Sequence, residues 1–324
     1  QRTAALLRLA RHPRLRAIWM LTGTPMKNGR PSQLYPLLAA MDHPIARDQR
    51  QFEERYCQGH WREGRTGKRW QASGASQLEE LRRLTRPLIL HRRKQQVVDL
   101  PPKQRRLHPV ELSEAELTGF DHRVELVLDD YRRRVQLGEV RRDAEHLALL
   151  TSMRQIAAEF KLPAARQLVE SLRRQGEAVV LFSGFVAPLQ LLQQTLGGEL
   201  LTGRQRPAER QESVDRFQQG QNDCLLATFG TGALGFTLHR ARHVVLLERP
   251  WTPGDLDQAE DRCHRLGMGD GLTCHWLQLG AADQLVDGLL ASKAERIEVL
   301  LGPRRLSLQR QSLSTMVRDC LQLL

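Results

Sequence analysis

The 324-residue chain carries 49 Lys and Arg against 37 Asp and Glu, a formal charge of +12, with 40% hydrophobic and only 5% aromatic residues. That content suffices for one or two packed domains with cores of Leu, Val and Ala, and the positive excess points to an anionic partner, nucleic acid foremost. No apolar run approaches the roughly 20 residues of a membrane span, no cationic-then-apolar leader is present, and the scattered cysteines (Cys57, Cys224, Cys263, Cys274, Cys320) read as reduced thiols, not as a disulfide framework or a zinc site.

Gln1 opens inside a helical pattern, residues 4–10, closed by His12-Pro13. The apolar run 17–21, ending in Thr22-Gly23-Thr24-Pro25, predicts a buried strand entering a loop. Helical spacing follows from Pro31 to Met41. Residues 57–76, polar and rich in Gly and Arg, predict a surface insertion. Residues 82–106 hold nine Arg or Lys and one Asp, a run that by itself reads as a solvated face. Asp99-Leu100-Pro101-Pro102 breaks the pattern and is taken as the boundary between two units.

Beyond it, residues 105–112 predict a strand and 113–137 a helix, opened by a capping box of Ser113 and Glu116. Strand runs at 178–182, 223–227, 243–248 and 273–279 then alternate with helical patterns at 188–196, 208–218 and 255–265. Such alternation predicts an α/β fold, a parallel sheet covered by helices. Ligands of such sheets sit beyond the carboxyl ends of the strands, so the loops after Phe182, Ala227 and Glu248 carry the functional expectation. Residues 303–324 read as an amphipathic helical tail.

The stretch from Trp251 to Gly267 bears the densest chemistry. On a helix from Asp255, residues Gln258, Arg262 and Arg265 fall at i, i+4 and i+7 and line one face. Two guanidiniums beside an amide would suit a polyanion. The plainer reading is a surface helix in which Asp261 pairs with Arg265, worth about 0.3–0.5 kcal/mol. Ser183 and Thr202 have a plain reading too, as helix-cap or turn residues.

Gln258, Ala259, Asp261, Arg262, His264, Arg265 and Gly267 together resemble motif VI of the Swi/Snf family of superfamily 2 helicase-like ATPases. Further stretches resemble that family's motifs in their proper order: Leu21 to Asn28 motif III, Val179 to Phe185 motif IV, and Ala227 to Leu238 motif V. Gly232-Ala233 stands where the family carries two glycines, and Met268 where it carries a glutamine. Leu100-Pro101-Pro102-Lys103 resembles the family's junction between lobes, and residues 55–103 are similar to its annealing-helicase branch.

The resemblance implies a second RecA-like lobe over 99–302, preceded by a partial first RecA-like lobe and helical insertions over 1–98. It implies ATP-driven translocation on double-stranded DNA. Arg262 and Arg265 would be arginine fingers on the γ-phosphate with Gln258 beside them. Ser183, Thr202, Gly203, Arg210 and Thr228 would touch DNA phosphates. Thr22, Gly23, Thr24 and Gly235 would couple nucleotide chemistry to DNA.

The sequence contains no Gly-x-x-x-x-Gly-Lys-[Ser/Thr] loop and no Asp-Glu-x-His box. ATP and Mg²⁺ are therefore expected to be held mainly by first-lobe motifs upstream of motif III, and the chain is expected to enter that lobe late and to be inactive alone. A nucleoid-associated cytoplasmic or a nuclear location is expected, and no membrane partner. The alternative is a non-catalytic DNA- or partner-binding piece of a split or truncated helicase, using the basic run 82–106. An RNA helicase of the same superfamily fits the stretch from Trp251 to Gly267 less well.

Overall fold

A computed structural model of the protein describes residues 2–64, 67–92, 94–137, 142–232 and 235–301. They form two compact units, the first of residues 2–92 with 252–254 and 290–301, the second of residues 94–251 with 255–289. The tail 303–324 and Cys320 lie outside the described residues.

The first unit is built of short helices, α1 (Arg2–Ala10), α2 (Tyr35–Ala40), α3 (Gln49–Tyr56) and α4 (Leu78–Thr85), with an antiparallel hairpin of β1 (His60–Gly64) and β2 (Gly67–Gln71). Asp48 caps α3 by accepting from the Gln51 N–H at 2.8 Å, satisfying one of the free donors of the first turn. Met26, Leu34, Leu38, Phe52, Tyr56, Cys57, Leu81, Ile297 and Leu300 form the core. The strand expected at 17–21 is absent. That segment is irregular, and Trp19 and Leu21 are 86% and 91% exposed. A buried parallel strand takes its backbone partners and its burial from strands on either side, and among the described residues none lies alongside it. The expected surface insertion over 57–76 contains the β1–β2 hairpin, which its polar composition did not announce.

The second unit carries α5 (Lys94–Val97), β3 (Lys103–Pro109), α6 (Glu114–Gln136), α7 (Arg142–Phe160), α8 (Leu162–Arg174), β4 (Val179–Ser183), α9 (Val186–Leu196), β5 (Glu199–Leu201), α10 (Pro207–Gln218), β6 (Cys224–Thr228), α11 (Phe229–Gly232), β7 (His243–Leu246), α12 (Pro253–Cys263), β8 (Leu272–Gln278) and the start of α13 (Gly280–Leu301). Six strands form one parallel sheet in the order β3-β8-β7-β4-β6-β5. Five of them lie where the alternation placed them. The exception is β5, whose three residues are too few to show a period. The capping box on α6 is present: Ser113 Oγ accepts from the Glu116 N–H, and Glu116 accepts from the Ser113 N–H at 2.9 Å.

Both sheet faces are buried, as a parallel sheet requires. Val179, Leu181, Cys224, Leu226, Val245 and Leu277 pack against Ala165, Val169 and Leu172 of α8 and Leu189, Leu192 and Leu196 of α9. Val180, Phe182, Leu225, Ala227, Val244 and Leu246 are equally inaccessible on the other face. Against α6 and α7, Val124, Leu128, Leu150, Met153 and Ile156 form a second cluster, which Leu285 of α13 joins. Cys57, Cys224, Cys263 and Cys274 are free and buried. Burial pushes Cys57 and Cys224 up to about 12, so neither is a thiolate at neutral pH.

Across β3, β8 and β7 runs a chain of imidazoles, His108 Nε2 to His275 Nδ1 at 2.9 Å and His275 Nε2 to His243 Nδ1 at 2.9 Å. Burial, then the neighbouring rings, pull His275 down to about 3. Burial lowers His108, with Arg106 beside it, and lowers His243 against the pull of Glu177. The fold holds all three below the ordinary imidazole value, whereas the unfolded chain takes up protons below about pH 6.5. Their contribution is therefore full above about 6.5 and lost as pH falls towards 3. The melting temperature should drop between pH 7 and pH 5, and drop less in His275→Gln. A midpoint that rises on acidification would contradict this.

Candidate functional site

The polar loops gather at the carboxyl ends of β4, β6 and β7. Ser183, last in β4, is wholly buried. Its hydroxyl donates to Glu248 at 3.1 Å and accepts from the Phe185 N–H at 3.0 Å, and the Gly184 N–H also donates to Glu248. The turn role read for this serine is the one it fills here, and its Oγ is not open to solvent. Glu248 follows β7 and is itself inaccessible. Burial raises its carboxyl, against Arg154 and Lys161, which lower it.

Around Glu248 lies a balanced buried cluster of three cations and three anions. Lys161 Nζ is 2.7 Å from Asp283 and Arg249 Nε 2.9 Å from Asp287. Arg154 donates to the Arg249 carbonyl and stacks 4.3 Å from the Trp251 ring. Gln278 donates to Asp287 at 3.0 Å and the Leu279 N–H to Asp283 at 2.7 Å. Lys161 and Asp283, and Arg249 and Asp287, are direct ion pairs, and Arg154 acts on Glu248 electrostatically, so the buried charges offset one another. The cluster fixes the course of residues 248–251 towards α12.

Of α12, Leu256, Ala259, Glu260 and Cys263 are buried, spaced i, i+3, i+4 and i+7 as one helix face. Glu260 receives Arg105 at 2.6 Å, Lys103 at 3.0 Å and the Trp276 indole N–H at 3.3 Å. Burial alone would raise its carboxyl, but Lys103 and Arg105 outweigh that and hold it at about 2. Asp257 and Asp261 add contacts to Arg105 and Lys103 at 3.4 Å each. Three acids therefore bind the helix to β3, which leaves Gln258 and Arg262, both half-buried, on another face.

The helix ends at Cys263, not at Arg265 as the spacing predicted. The His264 N–H still reaches the Glu260 carbonyl, but the Arg265 N–H turns to Cys263 at 3.0 Å. The causes are local. The Leu238 N–H takes the Arg262 carbonyl at 2.8 Å, Lys94 Nζ takes the His264 carbonyl, and Gly267 stands at φ +93, a left-handed conformation suited to glycine after a helix. Asp261 pairs with Lys94 and Lys103. Arg265 instead donates to Thr237 Oγ at 2.8 Å. The two arginines still converge: burial, then the Arg265 guanidinium, lowers Arg262 below the ordinary arginine value. His264 Nε2 lies 2.7 Å from the Pro101 carbonyl.

Gly235 (φ +92), Phe236 and Thr237 face Gln211, Val214, Asp215 and Gln218 of α10 across an open polar cleft of about 470 Å³. Thr228 Oγ lies 2.9 Å from Thr231 Oγ, which reaches the Leu201 carbonyl at 2.8 Å. Thr202 is buried, its N–H donating to Gln205 at 2.8 Å. Gly203 is exposed with open space about its Cα. Arg210 on α10 is half-buried, and its Nε has no hydrogen-bond partner among the described residues. The structure thus ties Arg262 to Leu238 and Arg265 to Thr237, and links Thr228 through Thr231 to Leu201, next to Thr202 and Gly203. Thr22, Gly23 and Thr24 belong to the first unit, where Thr22 Oγ accepts from the Thr24 N–H at 3.1 Å.

A six-stranded parallel sheet covered by helices in this way is a RecA-like fold, and residues 161–267 match the helicase conserved C-terminal domain. Residues 1–162 match the SNF2-related domain. The chain belongs to the SNF2-related family of helicase-like ATPases. It is 29% identical over 305 residues to the DNA annealing helicase and endonuclease ZRANB3 of Bos taurus, covering 90% of this chain and 27% of that protein. It is 31% identical over 296 residues to the SWI/SNF-related matrix-associated actin-dependent regulator of chromatin subfamily A-like protein 1 of Xenopus tropicalis, covering 87% and 30%. It thus spans less than a third of either relative. The fold is similar to the C-terminal part of the Fun30 ATPase domain (TM-score 0.50, 17% identity), over 69% of this chain and 99% of that one.

Glu248 and Glu260 were missed by motif reading. Glu260 had a signal, a carboxylate at i+4 from Leu256 on the apolar face of a helix. Changing Glu260 to Gln should cost about 2–4 kcal/mol in urea unfolding, because Lys103 and Arg105 lose their anion while staying about four-fifths buried. A loss under about 0.5 kcal/mol would show that the contact does not hold the helix.

Proposed function

We propose that this chain supplies the arginine-finger half of an ATP-driven translocase on double-stranded DNA. The observation that carries the reading is that Arg262 and Arg265, at and just past the end of a helix held by Glu260, are tied to the adjacent residues Leu238 and Thr237. Two guanidiniums brought close together would suit the terminal oxygens of a triphosphate, which accept charge-assisted hydrogen bonds from planar donors. In phosphoryl transfer a finger so placed stabilises charge on the transferring group without reorganising at the moment of reaction.

These residues fit one side of ATP. This sequence has no phosphate-cradling loop, and among the described residues no cluster of acids, histidines or cysteines is arranged to hold a metal ion. ATP's inner phosphates and Mg²⁺ would be held by first-lobe motifs outside this sequence, and Thr22, Gly23 and Thr24 would relay their state. On the DNA side, the exposed backbone of Gly203, the guanidinium of Arg210 and the hydroxyl of Thr228 would meet phosphates. Thr202 shapes the turn presenting Gly203, and Ser183 holds the loop after β4 through Glu248. The family relationship and the net charge of +12 support duplex DNA as the partner.

Residues 1–324 should bind blunt duplex DNA with affinity that falls steeply with salt, yet release no phosphate from ATP in its presence. Turnover that disappears in Arg262→Ala would show a complete ATPase site within this chain and overturn the division proposed. In an enzyme carrying both halves, Arg262→Ala should lower kcat about 10³-fold or more while duplex binding persists. Unchanged kcat would favour the non-catalytic binding reading.

A further inference from the structure

The β1–β2 hairpin takes no part in the site above, and its surface is unlike that of a structural insertion. A two-stranded hairpin alone in water is marginal, so its seating matters. Trp70 supplies it: its indole N–H donates to Glu53 of α3, and a Cβ on Gly59 would fall 2.5 Å from the Trp70 ring, so the chain can pass there only as glycine. Trp61 stands directly across from Trp70, the rings edge to face at 5.5 Å. Arg50 of α3 lies 4.7 Å from both ring centroids. Trp70 is half-buried, but Trp61 is 51% exposed, so one indole anchors the hairpin while the other remains presented.

Cross-strand partners share a face and successive pairs alternate. Lys68 therefore stands on the tryptophan face, opposite Glu63, and Arg62 opposes Arg69 on the other. All four are exposed. Like charges directly opposed weaken a hairpin, and stretch 60–71 carries four Lys or Arg against one acid. An open aromatic ring backed by a guanidinium and flanked by cations fits a π-faced polyanion, a nucleic acid. A double helix keeps its base faces stacked inside, so the tryptophan requires unpaired nucleotides.

We propose that the β1–β2 hairpin is a second nucleic-acid contact that takes unpaired DNA, a base stacking on the open side of Trp61 while a flanking phosphate meets Lys68 on the same face. The proposal rests on the reading of the chain as part of a DNA motor and adds to it a strand that the duplex contacts would not hold.

Fluorescence anisotropy of the 324-residue protein with labelled oligothymidylate and with a blunt duplex tests it. Trp61→Ala should weaken oligothymidylate binding on the order of tenfold and duplex binding less than about twofold, and Trp61→Phe should retain most of the single-strand affinity. The change Lys68→Gln, at an exposed position on the Trp61 face, should reduce the salt slope on oligothymidylate by about 0.7 and carries the test if Trp61→Ala lowers the melting temperature. Equal losses on both DNAs, no loss on either, or poly-glutamate binding that depends on Trp61 as strongly would overturn the hairpin assignment, the last marking an acidic-protein surface instead. Duplex binding with no effect of Trp61 defeats the hairpin alone. Trp61-dependent oligothymidylate binding without duplex binding defeats the translocase reading and leaves the hairpin standing. No binding of either DNA defeats both.

Discussion

The position of the arginines depends on one buried carboxylate. Glu260 lies on the apolar face of α12, where an isolated charge would cost several kcal/mol, and it is tolerated because Lys103 and Arg105 of β3 reach it together with the Trp276 indole of β8. Its fully formed set of partners holds it near a pKa of 2, so the clamp is charged throughout the physiological range. With 256, 259, 260 and 263 pointing inward, the rotation of the helix about its axis is decided, and so is the outward placing of Gln258 and Arg262.

A second buried arrangement does for the approach to the helix what Glu260 does for its body. Glu248, Asp283 and Asp287 face Arg154, Lys161 and Arg249 in a charge-neutral group that draws on α7, β7 and α13. Hydrophobic side chains of similar volume would pack as well, and such replacement is often neutral or stabilising. What the ions add is direction: Glu248 accepts from both the Ser183 hydroxyl and the Gly184 N–H, so the end of β4 and the exit from β7 share one acceptor. Loops that carry ligands are usually the mobile part of a sheet; here two are tied to one carboxylate.

The sheet was legible in the sequence because its strands are apolar runs separated by helical patterns, and five of the six fall within a residue or two of their expected starts. The segment 17–21 has the same apolar signature and is not a strand. Periodicity reports what a segment could bury, not whether neighbours are present to bury it. The helix bearing the arginines was legible as far as Arg262. Its end was not, because the groups that stop it, the Leu238 N–H and the Lys94 ammonium, come from distant parts of the chain. Ser183 shows the same limit: a serine after a strand can cap, turn or contact a ligand, and only Glu248, 65 residues away, decides which its hydroxyl does. The hairpin's tryptophans were lost within a run of Gly and Arg, since their pairing depends on register.

Arg265 stands two residues past the end of its helix. Had α12 continued, Arg262 and Arg265 would move as one rigid rod. Instead Arg262 belongs to the clamped helix, while Arg265 hangs in a turn and is held by Thr237, in the same strip of chain whose Leu238 N–H takes the Arg262 carbonyl. That strip begins at Gly235 and follows the β6 end that carries Thr228. The two guanidiniums are thus held by different means, one by the clamped helix and the other by a single hydroxyl.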